Sequence, residues 1–178
     1  MSPAASVDEL CALLTAGAAV DDEERVDMSA HSLQCAAELA GRAPDDFELQ
    51  IAGLVHDVGT VLDPSAMDSH AGRGGAYVAP LLGRRAARLV TRHADAKRYL
   101  VATEPDYRTR LSARSLETLV LQGGVMTDAQ VRAFSEIDDL EAVLELRRAD
   151  DAAKVPDRVV PGLDAWRAHL DRLSITLG

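Results

Sequence analysis

Four of the five histidines of this 178-residue chain are His31, His56, His70 and His93. His56 is followed at once by Asp57, and a later Arg-Arg-Ala-Asp segment ends in Asp150. Imidazole nitrogens and carboxylate oxygens together suit iron, manganese or zinc. A carboxylate can also bridge two metals, whereas a histidine binds only one. The series therefore points to a centre for two metal ions. Taken singly, each histidine is more economically a satisfied core or surface residue; the weight lies in four of them in order around a His-Asp doublet.

A second chemical feature is charge. The formal net charge is -10, yet between Arg84 and Arg114 basic side chains far outnumber the acids Asp95, Glu104 and Asp106. Beside His93, such a stretch can steer a small anion toward the metals, although most of its arginines read as a solvated helix face.

Elements must position these residues, and composition says which kind. Apolar residues make up 47% and aromatics only 3%, a balance of Ala, Leu and Val that favours packed helices over strands. The expectation is an all-α fold in one domain spanning 1–178. Apolar spacing predicts a helix from Val7 to Leu14 stopped by Gly17, and another from Ser29 to Leu39 with Gly41 beyond. Asp45 and Glu48 have capping-box spacing before a helix running toward His56, with Gly59 past its end. Pro64 and three glycines make 63–75 read as a loop carrying His70 at a helix start. Helices follow from Arg84 to His93, Ala94 to Ala102, Ala113 to Gln122 behind Ser112, Asp138 to Ala152 and Leu163 to Leu173, with a capping box at Thr127 and Gln130.

The same features exclude function classes. The acidic balance argues against a nucleic-acid surface, since phosphate backbones are held by Lys and Arg. No apolar run approaches the roughly 20 residues of a membrane span, and the first residues are acidic rather than basic. Cys11 and Cys35 lack any Cys-x-x-Cys spacing and are too few for a disulfide framework, so a reducing cytoplasm is the expected compartment.

The segments His31-Ser-Leu-Gln-Cys-Ala36, Leu54-Val-His-Asp-Val-Gly59, His70 and His93-Ala-Asp-Ala-Lys-Arg-Tyr-Leu-Val101 resemble the HD-domain superfamily. The resemblance continues through Leu146-Arg147 to Asp150, and Lys97-Arg-Tyr-Leu100 with Gln122-Gly-Gly-Val-Met126 narrows it to the mixed-valence di-iron oxygenases that cleave 2-amino-1-hydroxyethylphosphonate, with myo-inositol oxygenase a more distant relative. It implies one iron held by His31, His56, Asp57 and Asp150, and a second held by His70 and His93, with Asp57 bridging a Fe(II)/Fe(III) pair and O2 as co-substrate. Asp151 competes with Asp150 for the last ligand position, and the Leu-x-Leu-Arg register favours Asp150. The resemblance also implies Lys97, Ser112, Arg147 and Gln122 as anchors for a phosphonate. A dianionic tetrahedral head calls for such a set of point charge, guanidinium fork and hydroxyl donor.

The implied reaction is oxidative cleavage of a C–P bond to a carboxylic acid and phosphate, with a small anionic substrate and no dedicated protein acid or base. Two departures bear on that substrate. Family members carry histidine or lysine after His-Asp-Val-Gly where this chain has Thr60, which can hydrogen-bond an anion but cannot charge. The phosphonate enzymes also share a tyrosine upstream of the first ligand, and the stretch Asp21-Asp-Glu-Glu-Arg25 has none; Glu24 within it is a candidate contact for a substrate amine. The same ligands could instead form a metal hydroxide for hydrolysis of a phosphomonoester or nucleotide, or serve a metal-dependent binding module.

Overall fold

The computed structural model of the protein describes residues 3–20 and 26–175. Among them lie ten α-helices, a 3-10 turn at Gly17–Ala19 and no strand: α1 (Val7–Ala16), α2 (Met28–Arg42), α3 (Phe47–Val55), α4 (Val58–Leu62), α5 (His70–Thr103), α6 (Tyr107–Arg110), α7 (Ala113–Leu121), α8 (Asp128–Ser135), α9 (Leu140–Ala152) and α10 (Leu163–Ile175). The fold is all-α, as composition suggested. No helix among the described residues is long and apolar enough to cross a membrane.

Helix starts follow from side chains that accept the otherwise orphaned first N–H groups. Ser6, Asp27, Asp46 and Ser112 each cap a helix in this way, and Thr127 with Gln130 completes a capping box. The cap of α3 is thus Asp46, one residue beyond the expected Asp45. Gly41 lies inside α2 and Gly59 inside α4 rather than past a helix end.

The larger correction concerns 63–75. The chain is helical from His70 onward, and α5 runs to Thr103 with a fold at Gly83, whose φ of 87° and ψ of 175° suit glycine alone. The two arms, 70–82 and 84–103, come back against each other. A Cβ on Gly75 would lie 2.0 Å from Thr91 Oγ1, so the close approach of the arms requires glycine there. The expected break between His93 and Ala94 is absent, and the second arm is continuous.

Two helical hairpins therefore build the centre of the molecule. One is α2 and α3, joined through the turn at 43–46; the other is the folded α5. Helix α9 packs against both. Arg85, on the second arm of α5, binds Asp46 through two N–H groups at 2.8 and 2.7 Å and reaches Asp139 at 3.2 Å, tying the turn of the first hairpin to the fold of the second. Beneath lies a leucine-rich core in which Leu54, Leu89 and Leu146 are fully buried, each worth about 1.5–3 kcal/mol relative to exposure.

Candidate metal centre

Each hairpin brings two histidines together. His31, in the first turn of α2, meets His56, which ends α3, with Nε2 atoms 3.2 Å apart. His70 and His93 face each other across the fold of α5 with Nε2 atoms 3.1 Å apart. Asp57, in the connection between α3 and α4, stands between the pairs. Its Oδ2 lies 3.6 Å from His31 and 3.3 Å from His56, and its Oδ1 lies 3.3 Å from both His70 and His93. Asp150, near the end of α9, closes the first pair, with Oδ1 3.3 Å from His31 and 3.7 Å from His56. A close approach of backbones holds this arrangement: a Cβ on Gly59 would fall 2.0 Å from the His70 carbonyl oxygen, so α4 touches the start of α5.

The outer nitrogens decide what the inner ones can do. The Nδ1 atoms of His31, His56, His70 and His93 lie 3.0, 2.8, 2.7 and 2.7 Å from the carbonyl oxygens of Ala153, Gly53, Met67 and Val90. A carbonyl only accepts, so each Nδ1 carries a proton, and in the neutral, metal-binding form of each imidazole Nε2 turns a lone pair inward. In that form four lone pairs, both Asp57 oxygens and the Asp150 Oδ1 converge in one buried space, with Arg147 donating only to the other Asp150 oxygen. Only cations satisfy such a set, and the residues fit two metal ions with the bridging carboxylate between them. Burial works against charge on Asp57, yet His56 and the other imidazoles hold its carboxyl well below the usual carboxylate range. Burial likewise opposes charge on Asp150, and Arg147 outweighs it.

The centre opens into a cavity of about 170 Å³, smaller than the roughly 300–1,000 Å³ typical of sites for drug-sized ligands. One part of its lining is apolar and comes from Val20, Met28, Pro64 and Met67; another is cationic and polar, from Lys97, Arg147, Lys154, Ser115 and Thr118. Lys97 is 2% exposed and donates to Thr118 Oγ1 at 2.7 Å, while Lys154 donates to Ser115 Oγ at 3.1 Å. Burial, then Arg147, push the Lys97 amine down to about 7. Small and positively lined beside the histidine and carboxylate cluster, the cavity suits a small anion.

Comparison with known proteins agrees. Hydroxymethylphosphonate dioxygenase of Gimesia maris is 33% identical over 162 residues, covering 84% of this chain and 78% of its own length. The [1-hydroxy-2-(trimethylamino)ethyl]phosphonate dioxygenase (glycine-betaine-forming) of Leisingera caerulea is 32% identical over 151 residues, covering 80% and 76%. The chain belongs to this family of phosphonate dioxygenases. It is an oxidoreductase that uses metal and O2. No family model matches it.

In this dioxygenase the six residues read from sequence as ligands, His31, His56, Asp57, His70, His93 and Asp150, all converge. Thr60 and Gln122 line the cavity, Thr60 with its hydroxyl 4.0 Å from Met67 Sδ. Gln122 has a buried Oε1 with no hydrogen-bond partner among the described residues. Arg147 lines the cavity too, but its guanidinium is engaged by Asp150, Asp151 and Tyr107. Ser112 does not line it: its hydroxyl accepts from Ser115 N at 3.1 Å to cap α7, and Ser115, one turn on, takes the place at the cavity. Glu24 lies outside the described residues. Sequence reasoning missed Ser115 and Lys154 as cavity residues. For Ser115 the signal was helical spacing, three residues before Thr118 on α7; Lys154 lies past the end of α9, and its signal was only a cation four residues after Asp150.

Proposed function

We propose that this phosphonate dioxygenase is an HD-type di-iron enzyme that cleaves a small 1-hydroxyphosphonate. Its reaction is R–CH(OH)–PO3(2−) + O2 → R–COO(−) + HPO4(2−) + H(+): the C–P bond breaks, the carbon is oxidised to the carboxylate level and dioxygen is the oxidant. The observation that carries this reading is the sharing of Asp57, one oxygen turned to each histidine pair. His31, His56, Asp57 and Asp150 would hold one iron, and His70, His93 and Asp57 the other. When bound, the Fe(II)/Fe(III) pair supplies a site for O2 and the redox capacity that hydrolytic metals lack.

The chain's own residues bind and orient. Lys97, Ser115, Thr118 and Lys154 form a cradle of cations and hydroxyls for the tetrahedral phosphonate, with Arg147 at its edge. Because Lys97 sits at about 7, an arriving dianion draws a proton onto it and completes the charge match. The apolar side, from Met28 and Met67, receives the substituent on the hydroxyl-bearing carbon, while Thr60 and Gln122 offer hydrogen bonds to its polar groups. Burial of the ligands keeps water from the reacting carbon.

Aerobic incubation of the iron-loaded protein with hydroxymethylphosphonate and 1-hydroxyethylphosphonates tests the reading. It predicts one phosphate released per O2 consumed. Phosphate released without O2 uptake, from these compounds or from a phosphomonoester, would overturn it.

A further inference from the structure

The Asp150-Asp151 doublet left open in the sequence divides into two roles in the fold. Asp150 turns Oδ1 toward His31 and His56 and accepts Arg147 Nη1 on Oδ2 at 2.6 Å. Asp151 faces away from the imidazoles and binds the other side of the same guanidinium, through Nη2 and, at 3.3 Å, Nε. Tyr107, on α6, is buried; its hydroxyl accepts from Arg147 Nε at 3.1 Å and donates to Asp151. Arg147 is thus a buried cation shared by two carboxylates, only one of which is a metal ligand.

Electrostatics gives that division a consequence. A guanidinium bonded to Asp150 alone would spend its full charge on the ligand, lowering the electron density that Asp150 offers a metal. Asp151 supplies a competing negative charge on the far side, and Tyr107 fixes which carboxylate oxygen and which guanidinium edge meet. Burial above all, assisted by the charge of Asp151, keeps the Tyr107 phenol protonated and so able to donate.

We infer that Asp151 and Tyr107 are positioning residues for one of the two metals, acting through Arg147 on the ligand Asp150. Asp151 offsets Arg147 so that Asp150 remains a strong donor toward His31 and His56, and Tyr107 holds the pair in register. His70 and His93 each have Asp57 at 3.3 Å, whereas Asp150 comes only within 4.8 Å of His93, so this end depends on the network chiefly through Asp57. The inference rests on the two-metal reading above.

Anaerobic titration of the metal-free full chain with ferrous iron, followed by calorimetry, tests it on the wild type, Asp151→Asn and Tyr107→Phe, with the melting temperature of each metal-free protein. The wild type takes up two irons. In Asp151→Asn one binding step weakens by about 10- to 100-fold, the range for outer-shell changes at metal sites, and the other stays within about twofold. Tyr107→Phe weakens the same step less, and Asp151→Glu restores part of the loss. A purely structural role would lower the metal-free melting temperature and weaken both steps together. That result, or unchanged binding in both Asp151→Asn and Tyr107→Phe, overturns the inference while leaving the two-metal reading intact. Should Asp151→Asn fail to fold, Tyr107→Phe decides. A wild type that takes fewer than two irons overturns the two-metal reading itself.

Discussion

His70 and His93, separated by 23 positions, face each other at 3.1 Å because the helix that carries both folds back at Gly83. Half of the metal centre is therefore a property of one backbone turn. Replacing Gly83 by Ala forces a side chain into a conformation that only glycine adopts freely, at a cost of about 1–3 kcal/mol. Urea unfolding should show that loss in Gly83→Ala, together with weaker metal binding; unchanged stability would mean that the turn is not strained.

Asp57 lies 3.3 Å from His56 through one oxygen and 3.3 Å from both His70 and His93 through the other. Asp57→Ala should lose both metals, whereas His70→Ala should lose one. Metal content of the purified variants distinguishes these outcomes, and two retained irons in Asp57→Ala would show that it does not bridge.

Lys97 titrates at about 7, below its ordinary 10.5, because burial and then Arg147 disfavour its charge. Its charged form is present below that value and lost above it. The affinity for a phosphonate dianion should fall as pH rises beyond neutrality, approaching about tenfold per unit for a single required proton. Lys97→Arg, which stays charged, should flatten that decline even where overall affinity drops. Lys97→Met should abolish phosphonate binding yet raise the melting temperature of the metal-free protein, since it removes a buried, desolvated amine.

Ser112 and Ser115 separate structural from substrate effects within one turn of α7. Ser112→Ala removes a helix cap, at about 0.5–2 kcal/mol of stability, and should leave KM unchanged. Ser115→Ala should raise KM for the phosphonate about tenfold with little change in stability. The reverse pattern would return the anchoring role to Ser112.

What the sequence made legible follows from chemistry that is local. A His-Asp doublet, spaced histidines and an acidic residue after an arginine register are visible without a fold, and so was the helical class. The helix carrying His70 was not. Gly72, Gly74 and Gly75 argue against a helix by intrinsic propensity; packing accounts for Gly75, against the second arm, and Gly74, against α4 and Val90, while a Cβ on Gly72 would meet open space. Ser112 misled for a related reason. A hydroxyl at the right distance along the chain is equally a cap or an anchor, and only the orientation of α7 tells them apart. Asp150 and Asp151 are alike in sequence; facing the imidazoles or facing Tyr107 is what distinguishes them.

Electron paramagnetic resonance of the iron-loaded protein, partially oxidised and then given hydroxymethylphosphonate, tests the central claim most directly. A coupled ferrous–ferric pair, two irons per chain and perturbed by the phosphonate, is the predicted result. Isolated, uncoupled iron at one per chain, indifferent to the phosphonate, would contradict it.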